Sequence, residues 1–312
     1  MKYVVLGLGR CGSRIAEVIE EIKGTLPILT VAIDSDVDVE RVRAERRLLI
    51  GEDKTKGRGC GGDVELASKI INERIRDIDN LISDADVVFT IAGIGKGMGS
   101  AIITLNSHIL EKFSDKLLMS HVVLPFTSEP RVYTRTAKRI LEELKGKTDV
   151  PLVSSNDLYV EKKGVTILET AFRELNLYIA NTIVKFVNIF EGSGRDHIKP
   201  DFPLIFRALK GAGLGVLSYA EGYKIDEMYN QALKNNYCEP EMEKCKCVVL
   251  HVEGPGMYLN ISEIQSLVSR IERSLDTDVY YSVRENWRRR ILDLTFLAVN
   301  VKSSYLDRYP GR

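Results

Sequence analysis

The chain lacks a net charge: lysine and arginine together number 44 in its 312 residues, and so do aspartate and glutamate. Without a field of one sign it has no general pull on nucleic acid or anionic lipid, and no nucleic-acid partner is expected. Long apolar runs are missing too. The opening MKYVVLGLG meets glycine after a handful of apolar residues, which is not a secretory leader, and no window reaches the roughly eighteen uninterrupted apolar residues of a membrane span. A cytoplasmic protein is expected. Cysteine is sparse: Cys11, Cys60, Cys238, Cys245 and Cys247 make an odd number with no C-x-x-C pair, so free thiols are expected. The last three lie close together, but the only nearby histidine is His251 and the spacing matches no common zinc site, so no metal ligand is assigned. No internal repeat or low-complexity segment is evident.

What is present is a strand and helix alternation. Residues 2–155 carry the β-branched runs KYVVLGL, PILTVAID, RLLIG, DVVFTIAG, LLMSHVVLP and VPLVSS, with helical patterns between them near 13–22, 62–79, 99–114 and 130–145. That rhythm predicts a Rossmann-like parallel sheet covered by helices on both faces, with ligands at the carboxyl ends of the strands. From Val165 to Phe190 there is no glycine or proline and apolar residues recur at helical spacing, predicting one long, largely buried helix. Short helices near 202–210 and 224–234 follow, then strand, helix, strand, strand. The expected division is residues 1–164 as a nucleotide-binding α/β domain, 165–191 as a central connecting helix, and 192–312 as a smaller α+β domain with a mixed sheet.

Three glycine-rich turns carry the chemistry: GLGRCGSR at 7–14, GRGCGGD at 57–63 and AGIGKGMGSA at 92–101. Gly7, Gly9 and Gly12 fit the dinucleotide fingerprint G-x-G-x-x-G, and Asp34 stands where that fingerprint wants an acid for a ribose hydroxyl. An NAD(P)-dependent dehydrogenase needs only this first turn. Each of the three can offer unobstructed backbone N–H groups to phosphate oxygens, and the first and third lead into helices. The Walker motif fails, because Ser13 and Arg14 follow Gly12 with no lysine in place. A triphosphate held by several loops is the reading that uses all three turns.

At these residues the sequence resembles the tubulin and FtsZ superfamily of GTP-dependent cytoskeletal proteins, as a divergent archaeal-type FtsZ-like member. GRCGSRI at 9–15 is similar to the tubulin phosphate turn G-Q-C-G-N-Q-I, GRGCGG to the family's second loop, and GIGKGMG at 93–99 to the signature G-G-G-T-G-T-G. PFTSEP at 125–130, SND at 155–157, AFRELN at 171–176 and VVLHVEGPG at 248–256 extend the likeness along nearly the whole chain. The resemblance implies GTP or GDP as ligand, with magnesium as a companion ion, and self-association into protofilaments; membrane-associated partners stay open. By the same resemblance Gly7, Gly9, Arg10, Cys11, Gly12 and Arg14 wrap phosphates, Gly59, Cys60 and Gly61 approach the terminal one, and Gly93, Gly95, Lys96, Gly97, Met98 and Gly99 cradle the phosphate chain. Glu129 meets the ribose, Asn156 the sugar or base, Asn176 the guanine edge, and Asp34 lies near the nucleotide.

Departures from the pattern matter as much. Lys96 replaces the signature threonine and Ile94 a glycine. The family's hydrolytic segment, roughly N-x-D-x-x-D, is matched here by KPDFPLIF, in which Asp201 remains as the catalytic acid while Lys199 and Leu204 replace the asparagine and the second acid. Asp196 and His197 stand just upstream as substitutes. Loss of a water-positioning group costs about 10²–10⁴ in rate, so slow GTP hydrolysis or none is expected. Several readings stay open: Asp201 as a helix cap, Cys11 as a packing residue or a thiol activated by Arg10 and Arg14, Asn176 as a structural amide, and NWRRRI at 286–291 as a solvated hairpin or a site for nucleic acid or lipid headgroups. A nucleotide-independent scaffold is the third functional alternative.

Overall fold

A computed structural model describes residues 1–165, 167–243 and 245–310, so the last two residues of the terminal SSYLDRYPGR lie outside the described residues. Eleven strands form one sheet: β1 (Tyr3–Leu8), β2 (Ile28–Asp34), β3 (Arg46–Leu49), β4 (Val87–Gly93), β5 (Leu117–Leu124), β6 (Val150–Ser155), β7 (Arg195–Ile198), β8 (Gly215–Gly222), β9 (Cys247–Gly254), β10 (Asp278–Glu285) and β11 (Leu292–Val299), in the order β3-β2-β1-β4-β5-β6-β8-β11-β9-β10-β7. The first six are all parallel. In the second half β11 runs antiparallel to both neighbours while β9 and β10 are parallel, so the mixed character expected there is present. One backbone pair, Leu152 with Gly215, joins the halves.

Alternation along β1 explains the layering. Val4, Leu6 and Leu8 face one core with the helices Val64–Glu73, Ile75–Ile82, Ile102–Lys112 and Arg131–Glu143, whereas Tyr3 and Val5 face a second core with the helices Gly9–Ile22 and Leu168–Glu191. A parallel sheet covered on both faces needs strands that are apolar throughout, and β1, β5 and β6 are buried at every position. The predicted long helix is the 24-residue Leu168–Glu191, about 36 Å from end to end. It contributes Leu175, Ile179, Ile183, Phe186 and Val187 to the second core. No described helix is long and apolar enough to cross a membrane.

Two elements differ from expectation. RDHI at 195–198 forms β7, an edge strand too short and polar to show a pattern, and the glycine-rich GVLSYAEG is strand β8, paired along its whole length with β11. The segment 286–291 is no hairpin, because β9 lies between β10 and β11 and the connection crosses its end. It is also only partly solvated: Asn286 is buried and donates to Glu253 at 2.7 Å, Arg289 is held by Glu253 at 3.2 Å, and Trp287, Arg288 and Arg290 face outward.

Candidate nucleotide site

The three glycine turns meet at the carboxyl ends of β1 and β4, and small residues are what allow them to. A Cβ on Gly9, which already holds the left-handed φ of 68°, would fall 3.1 Å from the Gly99 nitrogen; one on Gly93 would fall 2.8 Å from Cys11 Cβ, and one on Gly97 2.7 Å from Cys60 Cβ. First turn thus touches third, and third touches second. At Gly9 backbone packs on backbone, and at Gly93 and Gly97 the chain lies against a cysteine Cβ, with no room for a larger side chain. The second turn follows the single helical turn Glu52–Thr55 rather than a strand, and Asp63, at its end, caps the next helix by accepting from the Leu66 nitrogen at 2.9 Å. No side chain caps the helix Gly9–Ile22, whose first N–H groups therefore have no side-chain partner.

Together the turns wall a cavity of about 690 Å³, within the usual range for a small-molecule site. Gly9, Arg10, Cys11 and Arg14 from the first turn, Gly59, Cys60 and Gly61 from the second, and Gly93, Lys96, Gly97, Met98 and Gly99 from the third all line it, with Asp34, Glu129, Asn156 and Asn176. Gly7, Gly12 and Gly95 do not. Gly7 and Gly12 serve packing, since a Cβ on Gly7 would meet the Gly12 carbonyl oxygen at 2.2 Å and one on Gly12 the Ile91 carbonyl oxygen at 2.1 Å. Gly95 turns the third loop back, its N–H donating to Ser100 Oγ at 2.9 Å.

Charge in the cavity is balanced and paired. Arg10 lies 3.9 Å from Asp36 and 3.7 Å from Asp38, Arg14 lies 2.8 Å from Glu17, and Lys96 lies 3.2 Å from Glu129 with its ammonium 4.7 Å from the Tyr133 ring centre. Burial, reinforced by the nearby Asp36 charge, raises the Asp34 carboxyl to about 6 against the Ser35 N–H that donates to it. Burial likewise pushes the Cys11 thiol up to about 12, the direction away from an activated thiolate. The side chains of Asn156 and Asn176 have no hydrogen-bond partner among the described residues, although Asn156 is buried. Amides left open beside a cavity are poised for a ligand. The sequence reading missed Phe172 and Tyr133, aromatic walls on helix faces whose pattern reads as core, and Asp36, whose neighbour Asp34 drew attention first.

Residues 2–161, half of the chain, match the model of the tubulin/FtsZ family GTPase domain. The chain belongs to the tubulin/FtsZ family. Among relatives, the cell division protein FtsZ 1 of Methanocaldococcus jannaschii is 27% identical over 279 residues, covering 88% of this chain and 75% of that protein. FtsZ of Methanothermobacter thermautotrophicus is 24% identical over 312 residues, covering 98% and 81%. Among solved structures, the empty M. jannaschii FtsZ dimer superposes with a TM-score of 0.83 at 24% identity, covering 96% of this chain and 88% of that one. CetZ2 of Haloferax volcanii, solved as a GTPγS-bound protofilament, gives 0.83 at 18%, covering 99% and 98%. Identities this low establish the shared fold. Membership of a GTPase family implies a guanine nucleotide as ligand.

Asp201 stands apart from the tubulin/FtsZ cavity. Asn176 lines the cavity, the same helix runs on to Glu191 about 22 Å further, and Asp201 follows beyond that end. Its Oδ1 accepts from the Leu204 nitrogen at 2.9 Å, so the cap reading holds; its side chain remains exposed. The upstream substitutes are both engaged, Asp196 with Arg284 at 2.8 Å and His197 with Glu285 at 3.2 Å.

Proposed function

We propose that this protein binds GTP and GDP in the glycine-walled cavity, stacks head to tail into protofilaments, and hydrolyses GTP slowly or not at all. The distribution of exposed apolar side chains carries the assembly part. Val37, Val132, Ile167, Leu168 and Phe172 flank the cavity end, while Leu204, Tyr223, Met257, Tyr258, Ile261 and Trp287 lie at the opposite end, where β8, β9 and β10 finish. Exposed apolar patches mark contact surfaces, and two different patches at opposite ends give a heterologous contact that propagates rather than closes.

In this reading residues 1–164 hold the nucleotide, 165–191 span from the base to the far end, and 192–312 bring Asp201 to the next copy's phosphates. Asn176 and Asn156 supply open amides, Phe172 a face for the base, and the three turns the phosphate cradle. Magnesium would travel with the phosphates, since among the described residues no three His, Cys, Asp or Glu side chains gather to hold a cation. Turnover is slow because Leu204 stands where a second acid is needed and Asp196 and His197 are engaged elsewhere.

Equilibrium binding with GTP, GDP, ATP and NAD tests the ligand: guanine nucleotides bind, and tight NAD binding without them would overturn the reading. Light scattering rises with protein concentration in the presence of GTP. Leu204→Asp, which supplies the missing acid, raises GTP turnover about tenfold or more once the protein assembles; unchanged turnover in assembled variant would remove Leu204 as its cause.

A further inference from the structure

The cavity presents three cations, Arg10, Arg14 and Lys96, against three carboxylates, Asp34, Asp36 and Glu129. A polyphosphate entering it meets no surplus positive charge. Compensation has to come from backbone N–H groups, from an added metal ion, or from a cation that changes partner. Of the three cations, Lys96 is the one built to change. Arg10 sits among two carboxylates, and Arg14 is bound at 2.8 Å to Glu17, which does not line the cavity. Lys96 has a single carboxylate partner, 3.2 Å away, and its side chain is 60% exposed.

Its partner is prepared for the loss. Glu129 Oε1 accepts from the Phe126 N–H at 3.2 Å, so the carboxylate keeps a donor when the ammonium leaves its other oxygen. The position of Lys96 decides which phosphate it meets. It precedes Gly97, the residue that packs against Cys60, so Lys96 stands at the seam between the second and third turns. In the nucleotide reading above, where the second turn meets the terminal phosphate, that seam is the end of the phosphate cradle.

We propose that Lys96 reads the terminal phosphate: it leaves Glu129 for the γ-phosphate of a nucleoside triphosphate and stays on Glu129 when a diphosphate is bound. The inference rests on the nucleotide reading above and adds a discriminating residue to it. An exposed ion pair is weak, whereas an ammonium on a phosphate makes a hydrogen bond charged on both sides, so the exchange favours the triphosphate. Release frees Glu129 Oε2 as an acceptor in the same cavity. The resident cation also does part of what a metal ion does for a triphosphate, so the preference for GTP persists without magnesium.

The experiment is a titration of the full-length protein with GTP and with GDP in EDTA, for the unaltered protein, Lys96→Thr and Lys96→Arg. Lys96→Thr is expected to weaken GTP binding about 10- to 100-fold and GDP binding less than about threefold, with Lys96→Arg retaining the preference. Lys96 is exposed, and unchanged thermal unfolding of the ligand-free variants separates lost recognition from lost folding. Equal weakening of GTP and GDP by Lys96→Thr would overturn the proposal while leaving nucleotide binding intact. Failure of the unaltered protein to bind either nucleotide would instead overturn the nucleotide reading itself, and this one with it.

Discussion

The two ends of the helix Leu168–Glu191 treat polar groups in opposite ways. At its first turns, beside the glycine cavity, the Asn176 amide has no partner among the described residues and Phe172 is exposed. At its last turn Arg284, almost fully buried, donates from Nη1 to the Asn188 carbonyl at 2.6 Å and from Nη2 to the Ile189 carbonyl at 2.9 Å, while Nε binds Asp196 at 2.8 Å. The Ile189 carbonyl belongs to the group that a helix end leaves without an internal partner, while the Asn188 carbonyl also accepts from the Gly192 N–H at 2.9 Å. Glu253 lies beside Arg284 and takes hydrogen bonds from Asn188 at 2.6 Å and Asn286 at 2.7 Å. A few residues back, Lys185 bridges Glu221 at 2.9 Å and binds Asp293. The same helix is thus locked at one end and left open at the other, which is how a scaffold separates stability from recognition.

Breaking the locked end should give the largest effect. Arg284→Met leaves Glu253 and Asp196 without their guanidinium and the Ile189 carbonyl uncapped, and is expected to lower unfolding stability in urea by about 3–5 kcal/mol. Nucleotide affinity of the folded fraction should hold. A variant that keeps its stability but loses affinity would break the comparison.

Acid should sharpen it. Burial alone would raise Glu253, but hydrogen bonds from His251 and Asn286 and the Arg289 charge bring its carboxyl down to about 2. A carboxyl lowered on folding stabilises the protein at pH above its unfolded value, and the benefit drains away as pH falls from about 4.5 towards 2. The drop is about 3 kcal/mol for this group. Urea titrations across that window should show it, and Glu253→Gln should flatten the slope. Asp34 has the opposite sign: with its carboxyl raised to about 6, the folded state loses stability as pH climbs from about 4 to 6, and Asp34→Asn removes that loss.

The open end should give the smallest and most selective effect. Asn176→Ala removes no hydrogen bond among the described residues, so thermal unfolding of the free protein should stay put. GTP affinity should fall about five- to tenfold, the worth of one neutral hydrogen bond. Loss of stability in this variant would mean the amide has a structural partner after all.

The open end was the legible one. Glycines that bring backbone against backbone announce themselves in sequence, and the turns at 7–14, 57–63 and 92–101 converge as their spacing implied. What stayed hidden was the pairing of charges. Arg10 and Lys96 look like free cations in one dimension, yet each has an acid partner supplied by the tertiary fold, while Arg14 pairs locally with Glu17 three residues on. The locked end was hidden for the same reason. Arg284, Glu253 and Asn188 are separated by 31 or more positions, so no local pattern joins them, and NWRRRI read as a solvated hairpin although Arg289 belongs to that cluster. Gly7 and Gly12 show the converse, because a fingerprint for phosphate is also a fingerprint for close packing: both sit against backbone and neither lines the cavity.

The strand order sets a timetable. β11 is the last strand to leave the ribosome, yet it lies between β8 and β9, which were made roughly 40 to 80 residues earlier. Until it arrives, β8 and β9 each present a bare edge, the surface most prone to pair with a neighbouring chain. The first six strands need nothing from beyond Ser155 to complete their own pairing with one another, so that half can settle during synthesis while the other half waits. A chain interrupted before residue 292 would therefore carry a finished cradle and an unfinished, adhesive partner.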